Sequence, residues 1–302
     1  MLIKTLYQAL VRYYGEDPHR DFNSPTVLLT APTGKAAYNI SRQTLHSAFH
    51  LPVNHSELTE LSADVMHSIS VALAELKVVI NDEISMVSTR VFSWVDKRLK
   101  DTINSDKAFG GLHVIIFGDF LQLPPVMGSP IYAKSANTAE TLILSLRVQT
   151  LWNSFKVFRF TEIMRQRDDA LFATALNNMA LGTMKEEDIR IFVNRTFPML
   201  PSEAQSSREN KLIQLYSTNN AVTACNEAVL ATLDTETFES ICFDRVVGNG
   251  SSNLARQSLL TYMRNSDIPA HKTMGLSKVL TLKNDARYII TNNIDTSDGL
   301  VN

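Results

Sequence analysis

Two neighbouring carboxylates, Asp82 and Glu83, close the apolar run in KVVINDEISM (Lys77–Met86). Adjacent acids at a strand's end can diverge, one toward a metal ion and one toward a water. In a nucleotide-hydrolysing site Asp82 would hold the water shell of Mg²⁺ and Glu83 would polarise the attacking water. The same pattern is met equally well by a strand that leaves into a solvated acidic turn. A second segment, FGGLHVIIFGDFLQLPPV (Phe109–Val126), carries Gln122 ahead of Pro124-Pro125. Two prolines stiffen that loop, and a neutral amide held there can bond a phosphate oxygen or a water. A third, FRFTEIMRQRDD (Phe158–Asp169), offers Arg165 as an arginine finger for a transferring phosphate, with an ordinary helix-surface arginine as the alternative.

The stretch TAPTGKAA (Thr30–Ala37) has the look of a phosphate-binding loop. The template G-x-x-x-x-G-K-[ST] needs two glycines, a lysine and a hydroxyl for Mg²⁺. Set on Gly34-Lys35, it puts Leu29 at the first glycine and Ala36 at the hydroxyl. Ala36 cannot ligate a metal, so the segment reads instead as a strand-to-helix turn.

These residues must be positioned by strands and helices. Short β-rich runs occur at Thr26–Thr30, Lys77–Ile80, His113–Gly118, Val157–Phe160 and Leu212–Ser217, and Val279–Thr291 reads as two further short strands. Helical spacing marks Leu2, Ile3, Leu6, Leu10 and Tyr13-Tyr14, and again Val87, Val91, Val95, Leu99 and Ile103. Continuous apolar strands alternating with helices predict an α/β fold of parallel sheets covered on both faces. A second strand–helix series starts near residue 155, so two lobes are expected, 1–155 and 156–302. Ligands bind at the carboxyl ends of strands in such sheets.

DEISM, GDFLQLPPV and TEIMRQ, in this order, resemble motifs II, III and IV of the Pif1-like helicases of superfamily 1. APTGKAA followed by TLHSAF (Thr44–Phe49) is similar to their motif Ia, and LYSTNNAVTACNEAVL and NNIDTSDGLVN to their second lobe. APTGKAA is also RecD-flavoured, but TEIMRQ and SDGLVN favour the Pif1 branch. The resemblance implies P-loop NTPase-type RecA-like lobes and ATP with Mg²⁺ as cofactors. It also implies 5′-to-3′ movement on single-stranded and forked DNA, with roles in repair, recombination and telomere maintenance. Asp82, Gln122 and Arg165 would face the nucleotide, with Glu83 as catalytic partner and Asp82 beside the metal. Pro32, Thr33, Gly34, Lys35 and His46 would line the groove for single-stranded DNA. A monomer is expected, in the nucleus or the mitochondrion.

The first helix has no capping residue before it, and neither the phosphate loop nor motifs V and VI can be found. The expectation is a partial chain, both lobes incomplete and its ATPase impaired; the alternative is a non-hydrolysing, helicase-derived DNA-binding remnant. Two residues depart from the family pattern. Asn81 replaces an apolar strand residue and would need hydrogen-bond partners if buried. Asp285 stands where the family tends to have glycine.

Composition narrows the remaining classes. With 29 basic against 31 acidic residues the formal charge is −2, so any nucleic-acid contact must come from a local groove. Two cysteines without a CxxC pair exclude a disulfide framework and a four-cysteine zinc site, and suit a reducing, intracellular compartment. No apolar run approaches the roughly 18 residues of a membrane span. His46 and His50 are four apart and would share a face on a helix, but Ser47 stands where a zinc protease needs Glu. The mixed charges of Asp96–Asp101 read as a solvated helix face.

Overall fold

The computed structural model describes residues 2–17, 21, 24–41, 43–52, 57–126, 128–133, 139–164, 166–196, 214–246, 252–266, 273 and 278–290. The described residues divide into two compact units, one within Met1–Asn194 and one within Arg195–Asn292.

The first unit is built on a four-stranded parallel sheet of β1 (Val27–Ala31), β2 (Gln43–Thr44), β3 (Val78–Asn81) and β4 (His113–Ile116), in the order β2-β1-β3-β4. Register is continuous across its centre, Thr30 opposite Asn81 and Asn81 opposite Ile116. Side-chain alternation sends Leu28 and Val79 into one core and Val27, Leu29, Val78 and Ile80 into another. The first core is covered by α3 (Leu45–Ala48), α4 (Ala63–Ala72), α5 (Thr89–Ile103) and α6 (Ala139–Asn153). The second is covered by α1 (Leu2–Gly15), through Ile3, Tyr7, Leu10, Val11 and Tyr14, and by α2 (Gly34–Asn39). Both faces are therefore apolar, which is why β1 and β3 read as unbroken hydrophobic runs. Two further helices, α7 (Ala170–Leu181) and α8 (Glu186–Val193), complete this unit.

The α5 face read from the sequence is the buried one: Val91, Val95 and Leu99 lie in the core, and Ser88 caps the helix by accepting from the Val91 N–H. The solvated face expected over Asp96–Asp101 forms only in part: Lys97 and Asp101 are exposed, but Asp96 and Arg98 are buried. Arg98 is fully buried, donating from Nε to the Phe49 carbonyl (3.1 Å) and from Nη2 to the Thr59 carbonyl (3.2 Å). Asp96 accepts from the Phe109 N–H at 2.6 Å and pairs with Lys100 at 2.8 Å. Long-range carbonyls and an amide claimed these charges, and charge alternation along a helix carries no trace of such partners.

The strand expected at Val157–Phe160 does not form. These residues are exposed and unpaired with any described strand, so no described neighbour supplies a ladder to hold them. In the second unit, α9 (Asn219–Thr232) and α10 (Asn253–Asn265) accompany an antiparallel ribbon of β5 (Thr237–Ile241) and β6 (Val279–Lys283). Only the first half of the expected Val279–Thr291 pair is a strand among the described residues. The run Leu212–Ser217 holds no strand over 214–217, and 212–213 lie outside the described residues.

Candidate functional site

Every described candidate residue stands just beyond the carboxyl end of a strand in the parallel sheet. His46 follows β2, Pro32 to Lys35 follow β1, Asp82 and Glu83 follow β3, and Gln122 lies in the loop after β4. Because the sheet order is β2-β1-β3-β4, the DNA-facing candidates occupy one half of this edge and the hydrolytic ones the other. The two halves meet at Thr30 and Asn81. The Thr30 hydroxyl lies 3.2 Å from the Ile80 carbonyl and 3.4 Å from Asn81 Oδ1, and donates to this pair of acceptors. Asn81 is buried among apolar neighbours, and its Nδ2 has no partner among the described residues. The partner that its burial demanded is thus half supplied.

The turn after β1 is a conventional helix start. Thr33 has extended backbone, and its hydroxyl oxygen accepts from the Ala36 N–H at 3.2 Å. Gly34 is buried beneath it, while Lys35 is exposed. The Lys35 ammonium sits 5.6 Å from the Tyr38 ring centre, and it has no carboxylate partner among the described residues. His46 lies on the single-turn helix α3, which Thr44 caps through the Ser47 N–H. The segment that follows is tied down by Arg98, whose two bonds hold Phe49 and Thr59 against α5.

The turn after β3 is different. Asp82 extends the sheet by one bond, its N–H donating to the Thr30 carbonyl at 2.9 Å. Its carboxylate accepts from the Glu83 N–H at 3.0 Å. Burial pushes the Asp82 carboxyl up from its ordinary value, and the Glu83 amide opposes that only in part. Glu83 sits in the left-handed region, φ 53° and ψ 47°, a conformation costing about 1 kcal/mol or more for a non-glycine residue. The oxygen donors of Asp82 fit a hard cation such as Mg²⁺, whose charge would reverse the effect of burial.

The β4 loop locks onto this turn. The Ile84 N–H donates to the Phe117 carbonyl at 2.9 Å, and the Phe117 N–H donates to the Asn81 carbonyl at 2.8 Å. Gly118 then passes so close that a Cβ there would lie 2.8 Å from the Ile84 nitrogen. Asp119 closes a turn: its carboxylate accepts from the Leu121 N–H (3.0 Å) and from Gln122 Nε2 (3.2 Å), and its carbonyl accepts from the Gln122 N–H (3.0 Å). Phe120 anchors the loop edge-on against Tyr132 and Trp152. Gly118, Asp119 and Thr30 escaped the sequence-based site. The signal for Asp119 was an Asp opening a turn three residues before the Gln. Arg165 lies outside the described residues.

The model of PIF1-like helicases matches residues 19–190. The chain belongs to the PIF1-like helicase family. It is 29% identical over 300 residues to the ATP-dependent DNA helicase PIF1 of Emericella nidulans, covering 97% of this chain and 37% of that one. It is likewise 29% identical to ATP-dependent DNA helicase Pif1 of Psychrobacter sp., covering 88% and 38%. Among solved structures, the Pif1 helicase of Candida albicans superposes with a TM-score of 0.59 at 23% identity, covering 93% of this chain and 56% of that one. Bacteroides Pif1 in complex with ADP-AlF3 and ssDNA gives 0.54 at 24%, covering 80% and 54%. The chain therefore spans little more than a third of these curated relatives. The α/β, RecA-like fold of this PIF1-like chain agrees with the sequence reading.

Proposed function

We propose that this PIF1-like chain serves an ATP-dependent DNA helicase, coupling ATP hydrolysis to 5′-to-3′ movement along single-stranded DNA and to the opening of forked duplexes. The observation that carries the reading is the ordering of one sheet edge. Backbone-facing residues Pro32, Thr33, Gly34, Lys35 and His46 occupy one half, and Asp82, Glu83 and Gln122 occupy the other. In this reading Asp82 holds the water shell of Mg²⁺, Glu83 polarises the attacking water, Gln122 senses the terminal phosphate and Arg165 reaches it as a finger. Lys35, left without a carboxylate partner, supplies charge to a DNA phosphate. The working lobes are 1–155 and 156–302, a division by strand–helix series that differs from the division by compactness after Asn194. A monomer acting in the nucleus or the mitochondrion, in repair, recombination and telomere maintenance, completes the proposal. Among the described residues no helix is long and apolar enough to cross a membrane.

A second reading, a DNA-binding remnant without hydrolysis, is favoured by one observation. Gly34-Lys35 is the chain's single Gly-Lys pair, and it does not fit a phosphate loop. Without that cradle, these 302 residues alone are expected to hydrolyse ATP slowly or not at all. ATP turnover by the purified chain, with and without oligo(dT), separates the readings. DNA-stimulated turnover abolished by Glu83→Gln supports the helicase. DNA binding that Lys35→Ala weakens and ATP leaves unchanged supports the remnant.

A further inference from the structure

The Gln122 amide can serve a phosphate or a water, and nothing in its own chemistry decides which end faces the site. An amide flips between two nearly isosteric orientations, one leading with N–H and the other with oxygen. In this chain a carboxylate stands on one side of it. Asp119 Oδ2 accepts from Gln122 Nε2 at 3.2 Å, while Oδ1 of the same side chain is fixed by the Leu121 N–H. The carboxylate cannot turn away without losing the turn bond, and it has no proton to offer. A flipped Gln122 would set its carbonyl oxygen against that anion, replacing a charge-assisted hydrogen bond with the repulsion of two acceptors. The base of the turn is equally constrained: Gly118 is wedged against the Ile84 backbone and Phe120 is packed between Tyr132 and Trp152.

We propose that Asp119 is a positioning residue that selects one amide orientation of Gln122. With one N–H committed to Asp119, the second N–H and Oε1 are left at fixed, diverging directions. The amide can then donate to a phosphate oxygen and accept from a water at the same time. This rests on the reading of the site as an ATPase, but the geometry is testable without turnover.

Asp119→Asn is the informative variant. It keeps an oxygen for the Leu121 N–H, so the turn survives, but its second position becomes a donor that welcomes the flipped amide. In ¹H–¹⁵N spectra of the 302-residue chain, the side-chain NH₂ pair of Gln122 is assigned by its loss in Gln122→Ala. Gln122 is exposed, but its bond to Asp119 should shift that pair from the position of an unbonded glutamine in wild type. It should return to the unbonded position in both Asp119→Asn and Asp119→Ala, with backbone amide peaks outside 117–123 unmoved. A Gln122 pair identical in wild type and both variants overturns the proposal. In whatever slow ATP·Mg²⁺ turnover the wild-type chain sustains, Asp119→Asn should lower the maximal rate about tenfold or more, with half-saturation within about twofold, as misorientation of a reacting group does. A raised half-saturation at unchanged maximal rate overturns it, because Asp119 would then act in nucleotide binding. If wild type shows no turnover at all, the ATPase reading fails for this chain, and the NH₂ signals alone decide the role of Asp119.

Discussion

The turns after β1 and β3 leave neighbouring parallel strands at the same sheet edge, yet they are held in opposite ways. Thr33 caps its own helix and keeps relaxed, extended backbone, so the first turn is self-sufficient. Glu83 makes no capping bond, stands in the left-handed region and depends on the β4 loop through the Ile84–Phe117 bond and the close passage of Gly118. In the proposed function, the turn that meets a repetitive phosphate backbone is built from local parts. The turn that aims two carboxylates in different directions is built by its neighbours, and Glu83 carries the strain.

The sharpest break of this contrast is Gly118→Ala. The added methyl meets the Ile84 main chain as well as its branched side chain, so a stability loss of about 2–3 kcal/mol is expected in urea unfolding. The turn after β1 should keep its affinity for oligo(dT) in the variant that remains folded. Glu83→Gly tests the strain directly. Relief of the left-handed cost should stabilise the chain by about 1 kcal/mol while removing any turnover. Thr33→Ala should cost about 1 kcal/mol through its lost cap and leave the Asp82–Glu83 turn untouched. The smallest effect is that of Asp82→Asn, and it depends on pH. Burial raises the folded-state value, so ionisation of Asp82 opposes folding. That penalty is absent below the ordinary value of 3.8 and complete above the raised one. Asp82→Asn should therefore raise the melting temperature at neutral pH without added Mg²⁺, and the gain should vanish as the solution is acidified.

Much of this edge was legible in the sequence because it rests on local order. An apolar strand followed by Asp82-Glu83 or by Gly118-Asp119 declares where the chain leaves the sheet, and Thr33 declares the helix it caps. Asn81 was legible as a misfit, and its burial with an unpartnered Nδ2 is that misfit realised. What escaped depends on neighbours distant in sequence. Arg98 and Asp96 read as solvated until the Phe49 and Thr59 carbonyls and the Phe109 amide came to them. Val157–Phe160 has the composition of a strand but no ladder beside it among the described residues. Asp285 shows the converse. The glycine that the resemblance led one to expect there suits backbone at φ 65°, which aspartate tolerates better than most residues.

The packing of Phe120 also gives the molecule a built-in optical reporter. The chain has two tryptophans, and Trp94 is buried on α5, whereas the half-buried Trp152 meets the Phe120 ring at 5.4 Å, edge-on. Phe120 is two residues from Gln122, so a displacement of this loop should change the surroundings of Trp152. Emission from Trp152, isolated by Trp94→Phe, would follow the loop in real time as nucleotide is added, with no dye attached.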